Sequence, residues 1–214
     1  MIISHQFRFI FIKTVKSAGT SLEIALSQYC GNGDVITPIR TEDEQLRYEL
    51  GLLGPQNFKV GEDDAYYNHI DALSVKKFVG ETIWGDYFKF CFERNPWDKV
   101  ISWYYWRTRN KQRPTLAEFV RSPEMEFLRD SGGINLYTIE GEVCVDRVFQ
   151  YGDMEAEVSE LSRLLQLPNK LKLPRTKSKS REDRRHYCEV YDEQSRAIVG
   201  DMFEKEIKLF GYSY

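Results

Sequence analysis

Cysteine, histidine and long apolar runs are all scarce in this sequence, and each scarcity removes a class of function. The four cysteines stand at positions 30, 91, 144 and 188, with no Cys-x-x-Cys pair and only His186 close to any of them. That spacing fits neither a zinc site nor a disulfide framework, so the thiols are read as free and buried. At 214 residues the chain is long enough to bury most of its surface without such a staple. No apolar stretch approaches the ~20 residues of a membrane-spanning helix. The opening Met1–Lys13 is interrupted by Arg8 and lacks a small-residue cleavage site, so it reads as a strand rather than a signal. A cytoplasmic location and no membrane partner are the expectations. Charge of one sign is also lacking. Lys plus Arg number 30 against 33 Asp plus Glu, so nothing global points to nucleic acid. Hydrophobic residues at 42% and aromatics at 14% exclude disorder and low complexity over most of the length.

The charge balance breaks in one place. Lys170, Lys172, Arg175, Lys177, Lys179, Arg181, Arg184 and Arg185 face only Glu182 and Asp183 within sixteen residues. A concentrated basic stretch in a mildly acidic chain marks a local anion site; a solvated loop is the plainer alternative.

Strand-like and helix-like segments alternate. Phe7–Ile12 is a compact β-prone run, followed by the small, polar, cationic Lys13–Ser21 and by helix formers at Leu22–Leu26. Residues 31–68 are aperiodic, with a short helix expected around Glu42–Leu50. Ile70–Val79 reads as a helix ending at Gly80, and Tyr87–Glu93 as a second strand. Arg94-Asn95-Pro96-Trp97 breaks that strand, and Asp98 is placed to cap a helix running to about Arg109. Thr115 and Glu118 form a capping-box pattern, and Ser122-Pro123 starts another helix. Val143–Tyr151 reads as a third strand and Asp153 as the cap of the next helix. The last helix is expected from about Asp192 to Leu209. No repeat or linker divides the chain. The alternation predicts an α/β fold: a single three-layer domain over residues 1–214, with a central mainly parallel sheet and a P-loop-like strand–loop–helix.

Two constellations carry chemistry. In the first, small residues at Ser17, Ala18 and Gly19 let backbone N–H groups approach an anion, and the following helix adds its N-terminal amides and dipole. Lys16 supplies a full charge, and Thr20 and Ser21 supply hydroxyls. Lys16 precedes Gly19, so this is not the Gly-x-x-x-x-Gly-Lys-Ser/Thr loop that holds Mg²⁺ and phosphates. An ordinary strand-to-helix turn with capping hydroxyls has the same composition. In the second, Arg94 stands where a strand ends, a favoured ligand position in open parallel sheets, with Ser102 eight residues on. Arg offers a forked donor for phosphate and Ser a short hydrogen bond; a surface ion pair is the plainer reading of Arg94.

The order and spacing of the two motifs resemble one family. Val15-Lys16-Ser17-Ala18-Gly19-Thr20-Ser21 resembles the Pro-Lys-Thr-x-Gly-Thr-Ser loop of sulfotransferases that use 3'-phosphoadenylyl sulfate (PAPS), of the bacterial family 2 type related to carbohydrate O-sulfotransferases. Arg94-Asn95-Pro96-Trp97-Asp98-Lys99-Val100-Ile101-Ser102-Trp103-Tyr104 resembles that family's 3'-phosphate motif. The segment Ile83–Phe90 and the ending Leu209–Tyr214 are similar as well. Two departures stand out: Val15 replaces Pro, and Gly152 replaces Glu in Tyr151-Gly152-Asp153-Met154, so Tyr151 carries over only loosely as the residue near the adenine.

The resemblance implies sulfuryl transfer from PAPS to an acceptor hydroxyl on a sugar or small metabolite, with adenosine 3',5'-bisphosphate (PAP) as product and no metal. It implies that Lys16 stabilises the leaving phosphate, that Thr20, Ser21 and the loop amides hold the 5'-phosphate, and that Arg94 and Ser102 grip the 3'-phosphate. Lys177, Lys179 and Arg181 are candidates to close over the nucleotide. His69, at the start of the Ile70–Val79 helix, is the candidate base on the strength of an ordinary near-neutral pKa, with Glu62, Asp63 and Asp64 as rivals. Partners are then a small-molecule or glycan acceptor and no nucleic acid. Two alternatives stay open: a P-loop kinase-like phosphotransferase, and a non-catalytic polyanion-binding protein working through Lys170–Arg185.

Overall fold

The computed structural model describes residues 1–109, 112–174, 183 and 185–214. Two short strands open the chain, β1 (Ile2–Ser4) and β2 (Phe9–Phe11), and pair antiparallel with Ile3 opposite Ile10. The expected single strand over Met1–Lys13 is thus a hairpin, turned at His5–Arg8 where Arg8 takes a positive φ of 51°. Then follow α1 (Gly19–Leu26), β3 (Val35–Ile36), α2 (Thr41–Glu49), α3 (Ala72–Asp86) and β4 (Phe88–Glu93). The first helical stretch of α3 ends at Gly80 as expected, where φ is 79° and ψ 167°, a conformation open to glycine, and a second stretch continues across that kink to Asp86.

The second half contains α4 (Pro96–Arg107), α5 (Leu116–Phe119), α6 (Pro123–Gly132), the two-residue strands β5 (Thr138–Ile139) and β6 (Glu142–Val143), β7 (Arg147–Gln150), α7 (Met154–Leu164), α8 (Glu193–Met202) and α9 (Glu204–Phe210). The expected strand Val143–Tyr151 divides: its start pairs with β5 in a separate hairpin, and only Arg147–Gln150 joins the main sheet. The expected last helix likewise breaks at Phe203. The Thr115/Glu118 capping box and the Asp153 and Asp192 caps are present. Asp98 is not a cap. Asn95 takes that position, accepting from the Trp97 N–H, with Pro96 in the first turn.

The main sheet has the order β3-β1-β2-β4-β7. Strands β2, β4 and β7 are parallel neighbours, β1 is reversed, and β3 runs with the other three. The period-two alternation of a strand assigns its two faces. Phe9, Phe11, Phe90, Phe92 and Phe149 face α1 and α7, packing on Leu22, Leu26, Val158 and Leu161. Ile3, Ile10, Ile12 and Cys91 face the other side, against Val75 and Trp84 of α3. Helices on both faces make three layers. A third apolar cluster ties α4, α5, α6 and α8 together through Trp97, Ile101, Phe119, Leu128 and Val199. No described helix is long and apolar enough to cross a membrane.

This topology decides where a ligand can sit. Three adjacent parallel strands end at one edge of the sheet, where open α/β sheets bind ligands. Lys13 follows β2, Arg94 follows β4, and Tyr151 follows β7.

Candidate active site

A cavity of about 1200 Å³ opens at that edge. Lys16, Ala18, Gly19, Thr20, Ser21, His69, Arg94, Ser102 and Tyr151 all line it. Residues from four separate parts of the sequence therefore meet, with the basic and hydroxyl groups of both motifs lining one cavity. Lys177, Lys179 and Arg181 lie outside the described residues.

The loop after β2 is built by the residues that face away from the cavity. Thr14 Oγ1 donates to the Phe92 carbonyl of β4. With its proton spent there, it accepts from Ser17 Oγ at 2.5 Å. The Ser17 hydroxyl is buried in this contact and, through Thr14, pins the loop to β4. The Val15 N–H is held by the Gly132 carbonyl at 3.0 Å. Between these anchors Lys16 and Ala18 adopt left-handed φ values of 64° and 63°, conformations unusual for non-glycine residues and common at functional loops. Ala18 occupies the cap position of α1 and no side chain caps the helix, contrary to the Thr/Ser cap expected. The first turn of α1 thus lies directly on the cavity wall, where helix amides and dipole favour an anion.

Gly19 is required by packing and not by its φ. A Cβ there would stand 2.6 Å from Lys13 Cγ. Lys13 is 2% exposed, and its ammonium pairs with Glu23 of α1 at 2.7 Å. Burial alone would raise the Glu23 pKa, but the charges of Lys13, the Met1 amine and Arg47 hold it down to about 2.

Arg94 is oriented on three sides. Its Nε donates to Asp98 at 2.7 Å, one Nη donates to the Lys16 carbonyl at 3.2 Å, and its guanidinium lies 4.0 Å from the centre of the Tyr151 ring. A guanidinium has five N–H donors, so the fork keeps donors for a ligand after these contacts. The plain ion-pair reading holds, with Asp98 as the partner, and the pair aims Arg94 along a cavity wall. Behind it, buried Glu93 accepts from the Arg94 N–H, the Lys99 ammonium and the Tyr137 hydroxyl, at 2.8, 2.8 and 3.1 Å. Ser102, on α4, reaches the same cavity. Tyr151, Met154, Leu173 and Pro174 add apolar lining.

His69 also takes a left-handed φ, 63°, just before α3, which is capped by Asp71. Its Nδ1 lies 2.9 Å from the Lys13 carbonyl. A carbonyl only accepts, so Nδ1 carries the proton and Nε2 keeps its lone pair. Burial first, then the Lys13 charge, lowers the His69 pKa to about 3. This corrects the near-neutral value expected from sequence. The imidazole is neutral at physiological pH, in the form that accepts a proton. The rivals Glu62, Asp63 and Asp64 do not line the cavity.

Two wall residues carried no sequence signal. Arg40 and Asn68 come from the aperiodic 31–68 segment, where no motif or period singles them out. Trp103, Trp106 and Tyr67 reach the cavity, whereas the similarly spaced Tyr66 and Tyr105 are buried in the core.

The chain matches the sulfotransferase family over residues 1–213. A protein of Archaeoglobus fulgidus described only as uncharacterized is 31% identical over 105 residues, covering 47% of this chain and 85% of that one. No solved structure matches. The family match takes in both anion constellations and every strand that delivers them, and the chain accordingly belongs to the sulfotransferase family, enzymes that move a sulfuryl group from a sulfate donor to an acceptor.

Proposed function

We propose that the cavity binds PAPS and transfers its sulfuryl group to a hydroxyl of a sugar or small metabolite. The observation that carries this reading is the convergence of Lys16 and Arg94, with Arg94 donating to the Lys16 carbonyl itself. One strand end thus offers a cation and helix amides, and the next offers a guanidinium and Ser102. Two phosphate-sized sites side by side suit a nucleotide carrying phosphates at both 3' and 5' positions. The cavity exceeds the few hundred Å³ that a single small ligand requires, leaving space for an acceptor beside the donor.

In this mechanism Arg94 and Ser102 hold the 3'-phosphate, and Thr20, Ser21 and the first amides of α1 hold the 5'-phosphate. Tyr151, Met154, Leu173 and Pro174 receive the base. Such transfers have loose transition states in which catalysis is mainly positioning and charge stabilisation. As the acceptor oxygen bonds to sulfur, the bond from sulfur to the 5'-phosphate oxygen breaks. Lys16 neutralises the charge that collects on that oxygen. His69 Nε2 takes the acceptor's proton, and an anionic donor seated beside Lys13 and Lys16 raises its basicity from the low value of the empty cavity.

The test is a thermal melt with PAP, followed by two variants. At a hundredfold excess over its Kd, PAP should add about 2.7 kcal/mol, or roughly 5–10 °C in Tm for a chain of this size. Arg94→Ala should weaken PAP by about tenfold or more and slow turnover at saturation much less. Lys16→Ala should retain PAP and lower kcat by about 10²–10³. Absence of a PAP shift, or the opposite division between the two variants, sinks the reading.

A further inference from the structure

Part of the cavity wall is a stack of nearly parallel rings. Phe127, Trp103 and Trp106 follow one another with centroids 5.6 and 5.0 Å apart and interplanar angles of 13° and 19°. Cations gather on the last ring. Arg40 lies 4.6 Å, Arg109 4.8 Å, Lys16 5.5 Å and Arg107 5.7 Å from the Trp106 centroid. Arg107 is neutralised by Glu124 at 2.5 Å. Arg40 is exposed, lines the cavity, and makes no ion pair among the described residues. A guanidinium over an indole ring still carries N–H donors for a carboxylate or sulfate.

Three carboxylates also reach the cavity, and two have other work. Asp71 accepts from Ser74 to cap α3, and Asp130 pairs with Arg129. Asp43 is buried in α2. Asn68, next to His69 in the chain and also lining the cavity, has a buried Oδ1 with no hydrogen-bond partner among the described residues. The wall therefore offers a hydroxyl-recognising end and an anion-recognising end. Lys16 and Arg40 share the Trp106 ring, so their charges are within ~10 Å of each other, of the order of one Debye length.

We propose that Arg40, lying over the Trp106 ring, forms an anion subsite for the acceptor, so that the enzyme prefers a hydroxyl compound bearing a carboxylate or sulfate about one sugar ring away from the reacting oxygen. This rests on the sulfuryl-transfer reading of the cavity, with the acceptor hydroxyl at Lys16 and His69.

The test uses a matched pair, methyl β-D-glucuronide and methyl β-D-glucoside, which differ in one carboxylate. Both are titrated calorimetrically into the full chain, with and without saturating PAP. The wild type should bind the glucuronide about five- to tenfold tighter, as expected for one charge-assisted contact, and added salt should narrow the gap. Arg40→Gln should bring the two glycosides level while PAP affinity holds, and Arg40→Lys should restore part of the preference. Equal binding of the pair, binding of neither, or a preference that survives Arg40→Gln overturns the subsite. Failure of PAP to bind refutes the donor assignment separately, because the PAP-free titrations still read the Arg40 subsite.

Discussion

Replacing Gly19 by alanine tests how the donor loop is held. Two effects oppose one another. Alanine is the better helix former by up to about 1 kcal/mol, and Gly19 is the first residue of α1. Against this, the new Cβ would stand 2.6 Å from Lys13 Cγ and 3.3 Å from the Thr14 carbonyl. Lys13 Cγ is near the root of its side chain, so it cannot yield without carrying the ammonium with it. That ammonium is fixed at 2.7 Å to Glu23, which is itself fully buried. Overpacking of this kind costs about 1–3 kcal/mol, and complete loss of a buried ion pair about 3–5 kcal/mol. Net destabilisation of about 1–3 kcal/mol follows, a fall of roughly 3–10 °C in Tm. Gly85 of α3 is the control, because a Cβ there meets nothing within 4 Å; Gly85→Ala should hold or raise Tm. Circular dichroism melts with urea titrations would read both. A Gly19→Ala protein as stable as wild type would show that Lys13 slides aside freely and that Glu23 does not brace the loop.

Two further outcomes are expected. His69 stays neutral in the folded chain down to about pH 3, whereas an unfolded histidine takes up its proton near 6.5. Between those values the unfolded chain binds the extra proton, so His69 removes stability as pH falls, by about 1.4 kcal/mol per unit. His69→Gln should flatten this part of the stability profile between pH 6.5 and 3, and an unchanged slope in denaturant titrations would show that His69 is solvated. Ser17→Ala should cost about 1–2 kcal/mol through the unmade bond to Thr14 yet leave PAP affinity within about threefold, since its hydroxyl faces the protein. A large loss of PAP binding, measured by calorimetry, would return Ser17 to the donor site.

The legible parts of the sequence were those where a local pattern and its tertiary role coincide. Phe9, Phe11, Phe90 and Phe92 alternate with smaller apolar residues, and that alternation became the two faces of the sheet. Lys16, Gly19 and Arg94 announce themselves because each stands where a β-prone run stops. Local chemistry misled where a neighbour in space took precedence. Ser17 reads only as a small loop residue, and its hydroxyl bond to Thr14, itself committed to Phe92, is a tertiary consequence with no local signal. Asp98 looks like a helix cap, but Arg94 one turn back takes its carboxylate and Asn95 caps instead. His69 has no local feature that forecasts its low pKa, which comes from burial and from Lys13, distant in sequence. Arg40 is invisible for the same reason: its partner Trp106 is brought to it by the packing of α4.

The cations around the cavity divide into two kinds, and the division explains how the site combines rigidity with attraction for anions. Lys13 and Lys99 are buried, each within 3 Å of one carboxylate, Glu23 or Glu93. A buried charge is tolerated only when paired and hydrogen-bonded, so these two pairs cancel locally and contribute little to the field in the cavity. Their effect is mechanical. Glu23 ties α1 to the end of β2, and Glu93 ties the Arg94 backbone to α4 and to Tyr137. The field itself comes from Lys16, from the part of the Arg94 charge that Asp98 leaves, from Arg40, and from the N-terminus of α1. Exchanging Glu93 for glutamine would therefore leave the cavity-facing cations in place while loosening the frame that sets their spacing. For a reaction whose barrier is lowered by charge already in position, that loss of spacing should fall on turnover before it falls on donor binding.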